Sequence, residues 1–309
     1  EDFISGRGRC EDKDILPIYL AENQGILREG LRTVADNPNR PLVGLRLVIE
    51  CFNGTTGFVG KLFKDLGAEV KILHGEPKGD GSFSVDKPEP AIKENLAELR
   101  EAIKSFKADL GIAFDVDGDR VGFVNERAKI LGGNELLAVL ALGILEERKR
   151  GIIIVNSKTS ENVVKLIAKN GGTPLRWWTG YAHIRALMKE LNNLELSFED
   201  MEELSKAKDK DLQKKLKLTK RSIKQGKSIL FGGEETGHIL FPENFYFDDG
   251  MYTTIKLLII IARLKNKDVT LNKLAGELFY SYYVPDIRMT ITDEANASGI
   301  VESAIGSIV

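Results

Sequence analysis

Between Pro41 and Gly133 the sequence alternates short apolar runs with amphipathic stretches, and this rhythm restricts the fold more than any other feature. "GLRLVIECF" reads as a buried strand, with Gly54 and Gly57 marking the turn that follows. "FVGKLFKDLG" has the spacing of a helix stopped by Gly67, and "AEVKIL" reads as the next strand. In "ENLAELREAIKSFK", Leu96, Leu99, Ile103 and Phe106 fall on one helical face, and "DLGIAF" is a strand again. A crossover between parallel strands needs about a dozen residues and is usually helical. This order therefore calls for a mostly parallel sheet with helices on its faces.

A second cycle follows with the same rhythm. "NELLAVLALGILEERKRG", "SENVVKLIAKNGG" and "AHIRALMKEL" read as helices, "IIIVNS" and "TPLRWW" as strands. "SILFGG" and "HILF" come later, then a long helix from about Met251. The 309 residues leave room for two such units, each with its own core. With 42% hydrophobic and 29% charged residues the composition is that of an ordinary globular protein. A formal charge of −2 carries no signal for nucleic acid. The longest apolar run, "LLIIIA", is too short to span a bilayer and lies between Lys256 and Arg263. Cys10 and Cys51 make neither a disulfide framework nor a metal-ligand spacing, which suits a reducing cytoplasm, and no secretory signal is visible. Ser205–Lys227 breaks the rhythm with ten Lys/Arg and two Asp. An anion-binding surface is one reading; a solvated helix or mobile insertion is the other, favoured because no aromatics interleave with the charges.

In "LGIAFDVDGDRVGFV", Asp115, Asp117 and Asp119 sit at alternate positions directly after an apolar strand, with Gly118 allowing a sharp turn. Carboxylates this close repel, so a fold keeps them together only with a cation among them or solvent between them. Their hard oxygens can converge on one Mg²⁺ and leave positions open for a phosphate oxygen. A calcium EF-hand fails on Arg120, which stands where that loop needs glycine, and on flanks that read as strands. "FDVDG" also fits the nucleophile motif of haloacid-dehalogenase-type phosphatases, although that family needs Thr or Ser where this chain has Asp119.

In "LFGGEETGHILF", glycines surround Glu234, Thr236 and His238. An acid, a hydroxyl and an imidazole spaced by two in an extended loop project to one side and can bind vicinal hydroxyls. The aspartate loop D-x-D-G-D-R, followed about a hundred residues later by G-E-x-[ST]-G-H, closely resembles the α-D-phosphohexomutases. "KDILPIYL", "VIECFNGTTG", "LGAEVKIL", "VNSKTSENV" and "FDDGMYTTIKLL" also fall in the order expected of that family.

The resemblance implies two consecutive three-layer α/β/α domains with mixed, mostly parallel sheets, plus remnants of flanking domains. Residues 1–40 would be the tail of a first domain carrying a phosphoserine, and 41–131 a second domain with the metal loop. Residues 132–280 would be a third domain with the sugar loop and the basic insertion 205–227, and 281–309 the start of a phosphate-binding fourth. It further implies interconversion of hexose 1-phosphate and 6-phosphate, of glucose or mannose, through a phosphoserine and a hexose 1,6-bisphosphate. By this similarity Asp115, Asp117 and Asp119 bind Mg²⁺, Arg120 faces the phosphoryl group, and Lys158 is a basic residue of the active site. Glu234, Glu235, Thr236, Gly237 and His238 match the sugar loop, Thr236 in place of the commoner serine. Glu235 is more like the glucose- or mannose-acting members than the glucosamine ones.

Two departures stand out. Many relatives read T-G-H where this chain has "TGYAH", so Tyr181 takes the histidine position, and His183 reads as a helix-face residue. A phenol, with a pKa of about 10, hydrogen-bonds but is a poorer proton carrier at neutral pH. The family's serine loop T-[AG]-S-H-N-P does not occur among these residues, and Ser82, Ser84 and Ser157 lie in other contexts. Together with a first residue that is not Met, this reads as a piece of a longer mutase, inactive by itself. A non-catalytic phosphosugar-binding paralogue and a phosphatase remain as alternatives. A small-molecule phosphosugar is the expected partner, with neither nucleic acid nor membrane.

Overall fold

The central strands of both sheets are buried on both faces, which is why the sequence shows them as unbroken apolar runs. The computed structural model describes residues 12–193, 228–265 and 271–272. The basic insertion, Cys10 and residues 281–309 lie outside them.

The first sheet is built from β1 (Arg46–Glu50), β2 (Glu69–Leu73), β3 (Leu110–Phe114), β4 (Val121–Asn125) and β5 (Ile130–Leu131), in the order β2-β1-β3-β4-β5. β1 pairs in parallel with β2 and β3, whereas β3–β4 and β4–β5 are antiparallel. The second sheet holds β6 (Gly151–Asn156), β7 (Gly172–Trp177), β8 (Ile229–Gly233) and β9 (Ile239–Leu240), in the order β7-β6-β8-β9. Here β6 pairs in parallel with β7 and β8, and β8–β9 is antiparallel. The parallel pairs follow from helical crossovers. The antiparallel ones arise where a strand turns straight back on itself, and both motif loops are such turns.

Side-chain alternation along the strands sorts the helices onto opposite faces. Val48, Ala113 and Val124 pack under α3 (Ala97–Phe106) with Leu99, Ala102 and Ile103. Leu47, Ile49, Ile112 and Phe114 face the other way, into a core shared with α2 (Val59–Asp65). That core also takes in α1 (Leu16–Leu31), α4 (Gly133–Arg148), α5 (Glu161–Lys169) and α7 (Gly250–Lys265). Ile153 and Val155 of β6 enter it from the second sheet, while Ile152 and Ile154 point oppositely, against Ile184, Leu187 and Met188 of α6 (Tyr181–Asn193). Each sheet is therefore a middle layer with helices on both sides, as the strand–helix rhythm requires.

Helix α1 is an addition, since the pattern before Pro41 suggests no element. Its buried stripe is only Asn23, Leu27 and Leu31, too sparse to stand out in the sequence. Tyr19 of this helix donates its hydroxyl to Asp249 at 2.8 Å, fastening α1 to the start of α7. Among the described residues no helix is long and apolar enough to cross a membrane. Cys51 is buried and free.

Candidate functional site

The aspartate loop is the turn between β3 and β4, and Asp115 organises it. Buried at the end of β3, Asp115 accepts through Oδ1 from the backbone N–H of Gly118 (3.0 Å) and of Arg120 (3.1 Å). Its Oδ2 accepts from Arg120 Nε at 2.6 Å. Gly118 has φ +80°, a conformation that glycine adopts at no steric cost. The loop rests on "NGTT", where the backbone N–H and hydroxyl of Thr55 both donate to Val116 O, at 2.8 and 3.1 Å.

One oxygen from each of Asp115, Asp117 and Asp119 lies within 4.8 Å of the others, so the three carboxylates could hold a metal ion. Asp117 is exposed and Asp119 half-buried. Burial, then the contact with Asp115 and the charges of Asp115 and Asp117, push the Asp119 carboxyl up to about 7, against an opposing pull from His238. Such crowding is what a cation among the oxygens relieves. Arg120 also reaches Asp119 Oδ1 (3.7 Å) and Glu89 Oε2 (3.6 Å). Burial works against its charge, but the bond to Asp115 outweighs this and keeps the guanidinium firmly protonated.

The glycine loop is the turn between β8 and β9. It closes by Glu234 N–H donating to His238 O at 2.9 Å and Gly237 N–H to Glu234 O at 3.2 Å. Gly237 has φ +103°, and a Cβ there would meet Val121 O at 2.9 Å, so only glycine lets the two loops approach. They touch directly. Arg120 and His238 form an antiparallel backbone bridge, and Gly250, opening α7, donates its N–H to Gly118 O at 2.9 Å.

His238 Nδ1 donates to Asp248 Oδ2 at 2.8 Å and lies 3.9 Å from Asp119 Oδ2. Burial disfavours the charged ring, but the bond to Asp248 and the nearby carboxylates prevail and raise its pKa. Asp119, His238 and Asp248 also bring ligand atoms within 4.8 Å of one another. Tyr181 stacks on His238, with ring centroids 5.0 Å apart. His183, two residues on, meets Trp178 edge to face instead.

Glu234 is buried and bonded rather than open. Its Oε1 accepts from Asn156 Nδ2 (3.1 Å) and from Gly180 N–H (2.7 Å). Asn156 Nδ2 also donates to Glu235 Oε2 at 2.6 Å, and its Oδ1 accepts from Thr159 Oγ1 at 2.8 Å. Thr236 and Lys158 are exposed on their loops. The structure thus gathers the aspartates, Arg120, His238 and Tyr181 closely, with Glu234 and Glu235 holding the loops behind them. Sequence reasoning missed Glu89, Asn156, Gly180 and Asp248. Asn156, Gly180 and Asp248 stand within "VNSKTSENV", "TGYAH" and "FDDGMYTTIKLL", but nothing in those runs marks them as partners of Glu234 and His238, and Glu89 left no signal.

With this geometry, two family models match the chain. The one described as phosphoglucomutase/phosphomannomutase, alpha/beta/alpha domain II, covers residues 29–132, and the domain III model covers 132–200 and 216–282. The chain belongs to the α-D-phosphohexomutase superfamily. A phosphomannomutase/phosphoglucomutase of Pseudomonas aeruginosa is 29% identical over 297 residues, covering 95% of this chain and 52% of the relative. A probable phosphoglucosamine mutase of Methanopyrus kandleri is 39% identical over 148 residues, 48% of this chain and 32% of that protein. Among solved structures, a phosphoglucomutase/phosphomannomutase family protein from Burkholderia thailandensis superposes with a TM-score of 0.66 at 27% identity, over 89% of this chain and 49% of that one. The chain spans about half the length of the curated relatives it matches.

Proposed function

We propose that this chain is the metal- and sugar-handling part of a phosphohexomutase, an isomerase that moves a phosphoryl group between the 1- and 6-oxygens of glucose or mannose. The observation that carries the reading is the backbone bridge between Arg120 and His238, which sets the aspartate loop edge to edge with the glycine loop. In this reading residues 41–131 and 132–280 are the second and third domains of four, 1–40 the tail of the first, and 281–309 the start of the fourth.

Asp115, Asp117 and Asp119 offer only hard carboxylate oxygens, one of them on an exposed residue, and this donor set fits Mg²⁺. When bound, Mg²⁺ neutralises charge that builds on a transferring phosphoryl group. Arg120, anchored by Asp115, presents its remaining guanidinium nitrogens as donors to phosphate oxygens, and exposed Lys158 supplies a second positive charge. His238 and Thr236 bind the sugar hydroxyls, Glu234, Glu235 and Gly237 shape their loop, and Tyr181 lies against the His238 ring. A hexose 1,6-bisphosphate serves as intermediate. The phosphatase alternative asks Asp115 to attack phosphorus. Its two oxygens accept three hydrogen bonds in a buried position, which argues against that role.

The test is a coupled dehydrogenase assay of glucose 1-phosphate conversion. A longer protein that joins this chain to a serine loop should turn over with Mg²⁺ and glucose 1,6-bisphosphate and lose activity on Asp117→Ala. The 309-residue chain alone should show no turnover, because phosphoryl shuttling needs a nucleophile that accepts and returns the group. Turnover by the chain alone, abolished by Asp117→Ala, would place the nucleophile within these residues and reopen the phosphatase reading.

A further inference from the structure

The His238 imidazole is held on two sides. At its edge Nδ1 donates to Asp248. Over its face lies Tyr181, the two ring planes only 23° apart. Among the described residues neither His238 Nε2 nor the Tyr181 hydroxyl has a hydrogen-bond partner, although Tyr181 is 39% exposed. The ring contact is enforced from behind. Gly180, with φ +119°, donates its N–H to the buried carboxylate of Glu234, whose own N–H closes the turn on His238 O. One residue therefore ties the backbone just before Tyr181 to the backbone of the residue on which Tyr181 stacks.

We propose that Tyr181 is a positioning residue that works through the face of its ring and not through its phenol. Stacking fixes the plane of the imidazole and Asp248 fixes the proton on Nδ1, which leaves Nε2 as the nitrogen available to a sugar phosphate. The substrate half of this inference rests on the reading of the glycine loop given above; the clamp itself does not. It also accounts for a tyrosine at a position where the family resemblance expects histidine. A flat ring is kept, and the hydrogen bond to substrate is left to His238 Nε2.

Three histidines make the test direct, because His74→Gln and His183→Gln assign the His238 resonances of the 309-residue chain labelled with ¹³C- and ¹⁵N-histidine. In the parent chain and in Tyr181→Phe the His238 ring protons should be displaced upfield by the stacked ring. At alkaline pH, where the ring is neutral, the tautomer protonated on Nδ1 should dominate in both. In Tyr181→Leu the displacement should vanish while the Nδ1 tautomer, held by Asp248, persists; Tyr181→Met provides a second non-aromatic variant should the first fail to fold. Affinity for glucose 6-phosphate should be unchanged in Tyr181→Phe and fall about tenfold in Tyr181→Leu, the upper end of what an aromatic pair contributes. Loss of the displacement in the Phe variant, or its survival in both non-aromatic ones, overturns the clamp. A Phe variant that keeps the displacement but loses affinity assigns the phenol a direct role and likewise overturns the proposal. A parent chain with no affinity for glucose 6-phosphate overturns the sugar reading, while the resonances still decide the clamp.

Discussion

In the first sheet β3 turns back into β4 through Asp115–Arg120; in the second, β8 turns back into β9 through Glu234–His238. Each turn follows a strand with a parallel neighbour, and each is closed by an N–H of its first residue donating to the carbonyl of its last. On this common frame the two loops treat charge oppositely. The first concentrates three carboxylates and answers them with a single guanidinium, leaving Asp119 crowded and its carboxyl pushed up. The second buries one carboxylate and satisfies it with neutral donors, the Asn156 amide and the Gly180 N–H. A loop left short of positive charge is suited to recruit a cation. A loop neutralised from within is suited to hold side chains still.

The sharpest way to break this contrast is Asp115→Ala. It removes an acceptor of three bonds and leaves Arg120, mostly buried, without its closest partner. We expect a loss of about 3 kcal/mol in chemical denaturation. Asp117→Ala, at an exposed position of the same loop, should change stability by less than about 0.5 kcal/mol yet weaken Mg²⁺ binding in a calorimetric titration. Equal stability costs for the two would mean that Asp115 braces the loop no more than Asp117 does.

Next in size is Asn156→Asp, which would make the second loop resemble the first. The new carboxylate would face Glu234 and Glu235 in a buried place, so its pKa in the folded chain should lie above its unfolded value. A shift of one to two pH units corresponds to about 2 kcal/mol. The variant should therefore be destabilised at neutral pH and regain stability relative to the parent as pH falls through the raised folded value. Denaturation curves that show a pH-independent deficit would count against internal neutralisation.

Gly237→Ala probes the contact between the loops. A left-handed φ combined with a Cβ 2.9 Å from Val121 O should cost about 1.5 kcal/mol and weaken binding of both Mg²⁺ and sugar phosphate. Gly118→Ala should cost less, because there the Cβ meets the Thr56 methyl and not backbone. If Gly237→Ala changes only sugar affinity, the loops are not coupled through this approach. The smallest effect belongs to Thr236→Ala, at an exposed position. Stability should stay within about 0.5 kcal/mol of the parent while affinity for sugar phosphate falls; unchanged affinity would remove Thr236 from the binding loop.

Much of the frame is legible in the sequence. "LVIE", "GIAF" and "IIIVN" declare strands because strands covered on both faces need apolar residues at every position. Helix α3 is legible for the opposite reason, since its single buried face spaces Leu99, Ala102 and Ile103 in helical period. Helix α1 and the two-residue strand β5 carry too few buried positions to leave a pattern, whereas the equally short β9 shows as "HILF". In the site, the acids and glycines stand out because they interrupt apolar runs. Asn156 does not, for nothing near it in the chain marks it as the donor to Glu234, 78 residues away.

By itself the sequence determined what depends on neighbours a few residues apart: the strand–helix order, three carboxylates at alternate positions, and a glycine turn carrying acid, hydroxyl and imidazole. Backbone geometry translates such spacing directly into direction, so a linear reading suffices. Only the tertiary structure decided that the two turns meet at Arg120 and His238, that Glu234 faces inward as a brace, and that Tyr181 lies flat on an imidazole. Each of these depends on hydrogen bonds and ring contacts between segments far apart in the chain, formed only once the two sheets share a core.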